Sequence, residues 1–74
     1  MQFSKWLRRQ IESKLMTQSE FALRAGVSLP SLSRWLAGST EINGVNRERI
    51  CIITGISRDQ LDRMLRQRQR DRAA

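Results

Sequence analysis

Apolar residues along this chain recur at intervals of three and four and do not alternate with polar ones, which is the pattern of amphipathic helices rather than half-buried strands. Five helical segments stand out. Over residues 4–14, Phe3, Trp6, Leu7 and Ile11 make one apolar stripe, and Lys5, Arg8, Arg9 and Glu12 take the wet faces. Over 18–25, Phe21, Ala22 and Ala25 face inward. Thr17 and Glu20 spell a capping box there: the hydroxyl accepts from one free backbone N–H and the carboxylate reaches back to another. Gly26 is the natural stop, because glycine adopts the left-handed conformation that ends helices. Over 29–37, Ser28 is the cap, and Pro30 falls in the first turn, where its missing N–H costs nothing. Leu32, Trp35 and Leu36 make the apolar face of this segment and Gly38 ends it. Over 44–54, Val45, Ile50, Cys51 and Ile53 are apolar, Asn43 or Asn46 is the cap, and Gly55 is the stop. A fifth helix begins after Ser57, which forms a second capping box with Gln60, and Leu61, Met64 and Leu65 form its short stripe. Beyond Leu65 the chain reads RQRQRDRAA, which buries nothing and is expected to fray. The expectation is an all-α, five-helix domain over 1–65 with an Arg-rich tail over 66–74.

At 74 residues the chain makes one small domain. A domain of this size hides only about 60% of its unfolded surface and often needs a staple. None is available: there is one cysteine and no histidine, so neither an internal disulfide nor a histidine-bearing zinc site is possible. Cys51, between Ile50 and Ile52, reads as a small buried apolar residue. With no His, no Tyr and a single Cys, most nucleophilic and general-base arrangements lack parts, so no enzyme, metal or cofactor is expected. No apolar run approaches the ~18 residues of a membrane span and no signal peptide is visible, so the expected location is cytoplasmic. Charge is the positive clue. Fourteen basic residues, twelve of them arginine, face seven acidic ones and leave a net +7. That balance favours a polyanionic partner, the plainer alternative being a surface that is merely basic and soluble.

The second and third segments are short, each carries its own cap, and only the tight turn Gly26-Val27-Ser28 separates them. That is a helix-turn-helix signature. Val27 would plug the gap between the two helices, and Ala22, five residues earlier, would sit where they approach closely.

The run TQSEFALRAGVSLPSLSRWLAG, residues 17–38, resembles the lambda-repressor and Cro type of helix-turn-helix, also called the XRE type. The matching pieces are Thr17-Gln18, Ala22, Ala25-Gly26-Val27-Ser28, Ser31-Leu32-Ser33-Arg34-Trp35 and Gly38. Further on, Gly55-Ile56-Ser57 followed by Asp59-Gln60-Leu61 is similar to the family's link between its fourth and fifth helices, so the resemblance covers about residues 3–65. It implies a five-helix DNA-binding domain whose third helix enters the major groove while the second lies across the backbone. The partner implied is double-stranded DNA.

The residues agree with that implication. With Leu32, Trp35 and Leu36 buried, Leu29, Pro30, Ser31, Ser33 and Arg34 are left outside. Arg34 is the leading candidate for a base contact, since a guanidinium matches the O6 and N7 acceptors of guanine bidentately. A phosphate-bound or solvated arginine is the alternative. Leu29 and Pro30 occupy family positions that often read bases. Their side chains lack hydrogen-bonding groups, so they would pack on thymine methyls, and Pro30 has the further reading of a helix-starting device. Ser33 is a weaker candidate of the same set. Gln18 matches a glutamine that commonly binds a backbone phosphate in the family, helped by the helix N-terminus. Thr17, Ser28, Ser31, Asn43 and Arg47 complete the expected phosphate set, with capping alone as the alternative for Thr17. Glu41 would repel DNA if it pointed inward.

One departure is informative. Many family members carry arginine at the position of Ile11 and glutamate at that of Leu36, and the two pair. Here both are apolar, a replacement that a packed interior tolerates, and the swap implies that these two side chains touch.

The first functional reading is a sequence-specific transcriptional regulator, with repression the expected direction and a phage-like origin suggested by size and family. One domain reads few base pairs, so two copies on a near-palindromic operator are expected. Ile52, Ile56, Leu61, Met64 and Leu65 are candidates for the homodimer interface, unless they simply finish the core. The alternatives are a protein-interaction module, such as the antitoxin of a toxin pair, and sequence-independent nucleic-acid binding through the Arg-rich tail. No small-molecule pocket is evident from the sequence.

Overall fold

The computed structural model describes residues 2–73, with side chains to Arg66. Its order is α1 (Phe3–Ser13), α2 (Gln18–Ala25), α3 (Leu29–Leu36), α4 (Gly44–Thr54) and α5 (Arg58–Ala73). No strand occurs among the described residues, and the all-α, five-helix expectation holds. Boundaries moved by one residue at two helices. α1 starts at Phe3 and has Lys14 as its C-cap, and α3 gives up Ala37 to its C-cap. Backbone helix carries α5 to Ala73, past Leu65, where the sequence places the end of the domain. The side chains of 67–73 and all of Ala74 lie outside the described residues, and with them the expectation that the tail buries nothing.

Each helix begins where its sequence provides a side-chain cap, with α1 the exception: Gln2 makes no side-chain cap bond. Thr17 Oγ1 accepts from the Glu20 N–H at 3.1 Å, and Ser28 Oγ accepts from Ser31 N–H at 3.2 Å. Asn43, not Asn46, caps α4, accepting from the Asn46 N–H at 2.8 Å. The second capping box closes in both directions: Ser57 Oγ accepts from Gln60 N–H at 3.2 Å, and Ser57 N–H donates to Gln60 Oε1 at 3.4 Å. The first closes in one direction only. Glu20 turns along its own helix to Arg24, at 3.7 Å, instead of back to Thr17. One helical turn of spacing favours that opposite-charge pair.

α2 ends at Gly26, with φ +80°, as expected. α1 ends differently. Leu15 takes the left-handed conformation, φ +56°, that a glycine would normally supply, and its side chain is 93% exposed. Its N–H donates to Glu12 O at 3.0 Å and that of Met16 to Ile11 O at 3.4 Å, so the last turn is satisfied at the expense of a crowded Cβ.

The core gathers residues from all five helices. Phe3, Leu7 and Ile11 from α1, Phe21, Ala22 and Ala25 from α2, and Leu32, Trp35 and Leu36 from α3 meet Ile50, Leu61 and Leu65. Trp6 and Phe3 pack with ring centroids 5.9 Å apart. Val27 and Ala22 are both buried at the junction of α2 and α3, as the turn requires. Ile42 was not foreseen. It is buried near the end of the polar 37–43 connection. Two bonds hold that connection down: Trp35 Nε1–H donates to Glu41 O at 3.3 Å, and Arg47 Nε–H donates to Ile42 O at 2.9 Å.

Val45, on the first turn of α4, is 61% exposed. One α4 expectation is corrected. Cys51 is half-buried rather than buried. Burial, reinforced by Glu48, still pushes its thiol pKa up.

Candidate nucleic-acid interface

α3 presents a divided surface. Leu32, Trp35 and Leu36 are buried at helical spacing and bolt one side to the core. Leu29, Pro30, Ser33 and Arg34 are exposed on the other side, and Ser31 is half-buried at the margin. No acidic residue lies within α3. Its exposed face therefore carries one cation, hydroxyls and apolar carbons, a set that offers donors and methyl-sized contacts to an anionic groove.

The hydroxyls and the guanidinium are linked. Ser28 Oγ–H donates to Ser31 Oγ at 2.8 Å, while Arg34 Nη2–H donates to the same oxygen at 3.2 Å. Ser31 Oγ thus accepts twice and keeps its own proton for an outside acceptor. The Arg34 side chain leans toward the N-terminus of its helix, the direction helical side chains favour. It rests there with donors to spare, because a guanidinium has five and this tether uses one.

On either side of α3 along the chain are two other helix starts. Gln18 occupies the first position of α2, exposed, next to the capping Thr17. Asn43 caps α4 through its Oδ1, leaving its side-chain NH2 free of any bond among the described residues. The first N–H groups of a helix lack partners within the helix and carry partial positive charge, so both starts suit phosphate oxygens.

Arg47 departs from its expected place. Its Nη1–H donates to Asp62 Oδ1 at 2.9 Å and its Nε–H to Ile42 O, which turns the guanidinium inward. Asp62 also accepts from Arg58 at 3.4 Å, and Arg58 reaches Glu48 at 3.6 Å. Arg47 is thereby a clamp between the 37–43 connection, α4 and α5. A carboxylate already neutralises the charge that a phosphate would have used.

The five apolar candidates for a second copy separate. Leu61 and Leu65 are buried, so they finish this chain's own core and are withdrawn from the interface. Ile56 and Met64 are half-buried against that core, and Ile52 is 73% exposed. The division follows helix geometry: on α5, positions 61 and 65 point together into the bundle and 64 lies at the edge.

Sequence reasoning also missed two side-chain bonds to distant backbone carbonyls. Arg49 Nη1–H donates to Gly26 O at 2.7 Å, joining α4 to the turn between α2 and α3. Arg8 Nη2–H reaches Leu36 O at 3.5 Å, joining α1 to the end of α3. Neither has a local signature, since the partners are backbone carbonyls 23 and 28 residues away. Ile42 did have one: a lone isoleucine in an otherwise polar connection.

No group of metal-ligating side chains gathers among the described residues, and no helix is long and apolar enough to cross a membrane. No curated protein and no solved structure matches the chain. A family model does, that of a helix-turn-helix, over residues 7–61, well over half of the sequence and all of α2, α3 and α4. The chain belongs to the XRE-type helix-turn-helix family, the lambda-repressor and Cro-like group of DNA-binding transcription regulators.

Proposed function

We propose that the protein is a sequence-reading repressor that places α3 in the major groove of a near-palindromic operator and binds it as a homodimer. The observation that carries this reading is the divided surface of α3. Its apolar side is bolted down by Leu32, Trp35 and Leu36, and its outer side offers Arg34, Ser33, Pro30 and Leu29 with no acidic residue among them. Arg34 pairs with a guanine, Leu29 and Pro30 pack on thymine methyls, and Ser33 reaches a neighbouring base edge. Thr17, Gln18, Ser31 and Asn43 bind phosphates and set the register, while Ser28, whose hydroxyl proton goes to Ser31, contributes by holding that hydroxyl in place. Such contacts carry affinity that falls with salt and is blind to sequence, and the α3 side chains supply the discrimination.

Two copies are needed because one α3 covers only a few base pairs. The exposure of Ile52 on α4 supports a pairing surface there, and Ile56 and Met64, half-buried, are the further candidates for it. Repression follows from occupancy of an operator that overlaps a promoter, inside a bacterial or phage-infected cell and on its nucleoid.

The test is selection of random duplex DNA by the purified protein at near-physiological salt, with Arg34→Ala in parallel. An enriched inverted repeat, relaxed at one position per half-site in the variant, is the expected result. Loss of Arg34 should cost about 1–3 kcal/mol at that position. Enrichment of a single half-site would remove the dimer. No enriched sequence, with or without bulk binding, would overturn the operator reading in favour of a protein-interaction module or of tail-driven binding.

A further inference from the structure

The Arg49–Gly26 bond links two parts of the surface that have no other polar contact among the described residues. α2 ends with Gly26 N–H donating to Ala22 O at 3.0 Å and Val27 N–H donating to the same oxygen at 3.0 Å. Gly26 itself is left-handed, and its own carbonyl is taken by Arg49. The contact is intimate. A Cβ built on Gly26 would meet Arg49 Nε at 3.6 Å and Cδ at 3.7 Å, so the guanidinium and its stem lie across the turn. No ion pair of Arg49 occurs among the described residues, where Arg24, Arg47 and Arg58 all have carboxylate partners. Its cation instead sits at the negative end of α2.

We propose that Arg49 is a positioning residue for DNA binding. It locks the helix-turn-helix to α4 and so sets the spacing between the phosphate-binding starts of α2 and α4. Gly44, the first residue of α4, lies five residues before Arg49, about 8 Å along the helix axis. A tether at Arg49 therefore adds to the packing of α2 on α4 in setting how far Asn43 stands from Gln18, and it holds the turn that leads directly into the Ser28 cap and the base-reading face of α3. Without it, the free protein samples turn geometries that do not match the phosphate spacing, and apparent affinity falls by the fraction of time the matching one is absent. The proposal rests on the DNA-binding reading, but the tether itself is present in the free protein and is testable there.

The experiment uses Arg49→Met, which keeps the stem and removes the donors, and Arg49→Lys, which keeps the charge and loses the planar fork. Amide hydrogen exchange on the free proteins is the first readout. Arg49→Met is expected to speed exchange at Gly26 and Val27 by about tenfold, with α1 amides unchanged, and Arg49→Lys to fall between. The second readout is affinity for the selected duplex at several salt concentrations. Arg49→Met is expected to bind about tenfold more weakly, with the slope of log K against log salt unchanged. Exchange at the turn that does not change overturns the proposal. So does a slope reduced by about 0.9 for each bound copy, with Arg49→Lys restoring full affinity, which would make Arg49 a plain phosphate contact. If the wild type selects no duplex, the operator reading falls on its own, and the exchange data alone decide the tether.

Discussion

Ile11 and Leu36 stand where many relatives carry an arginine and a glutamate, and both are buried in one cluster, 5% and 8% exposed. Arg8, one turn before Ile11, reaches the Leu36 carbonyl, so α1 and α3 meet at this point. Restoring the charges one at a time should therefore be costly, and restoring both should not. Ile11→Arg forfeits the burial of an isoleucine, about 1.5–3 kcal/mol, and leaves a guanidinium without a carboxylate, next to the like charge of Arg8. Part of that cost is avoided, because a long side chain can carry its head outward. A net loss of about 3 kcal/mol is expected, which for a domain of this size lowers the melting temperature by about 10–25 °C. Leu36→Glu should cost less, about 2 kcal/mol, because Arg8 is close enough to meet the new carboxylate. The double variant should return to within about 1–2 kcal/mol of the wild type, giving a coupling energy of about 3–4 kcal/mol. Urea unfolding followed by circular dichroism measures all four corners. Additivity of the two single changes within about 0.5 kcal/mol would refute the contact, as would an unchanged melting temperature for Ile11→Arg.

Three further outcomes are expected. Leu15→Gly should raise the melting temperature by a few degrees, because an exposed side chain is removed from a left-handed residue at little packing loss; the strain, about 1–2 kcal/mol, is partly offset by the freedom glycine has when unfolded. A drop would mean that Leu15 packs on something. Arg47→Met should lower stability by about 1–2 kcal/mol, because it frees Ile42 O and leaves Asp62 with Arg58 alone, and it should leave the salt slope of DNA binding unchanged. A shallower slope would return Arg47 to the phosphate set. The Cys51 thiol holds its proton more tightly folded than unfolded, through burial first and Glu48 second. Its contribution is thus whole below the ordinary thiol pKa of 9.0 and declines as pH rises through the raised folded value. Stability curves of the wild type and Cys51→Ala should accordingly converge in alkali, and parallel curves would contradict the shift.

Much of the fold was legible because its signals are local. The caps Thr17, Ser28, Asn43 and Ser57 lie beside the N–H groups they satisfy, and Gly26 and Gly55 bring the backbone freedom their stops require. The α3 face was legible for the same reason: the spacing of Leu32, Trp35 and Leu36 fixes which side turns inward, and Arg34 is left outside. Local cues also misled where two were compatible with one residue. Glu20 had a cap N–H behind it and Arg24 ahead of it, and the charge pair won.

What the order of residues determined by itself was the set of helices, their ends, and the exposed side of α3, since periodicity and capping act within a few residues. Tertiary structure decided which surface each leftover side chain joined. Leu61 and Leu65 went to the core and Ile52 to solvent, although all three are equally apolar in sequence. Arg47 went to Asp62 and Arg49 to Gly26, although both are arginines on one helix two positions apart. Burial and long-range hydrogen bonds depend on which helices stand face to face, and that arrangement brings together residues whose separation along the chain contains no trace of the meeting.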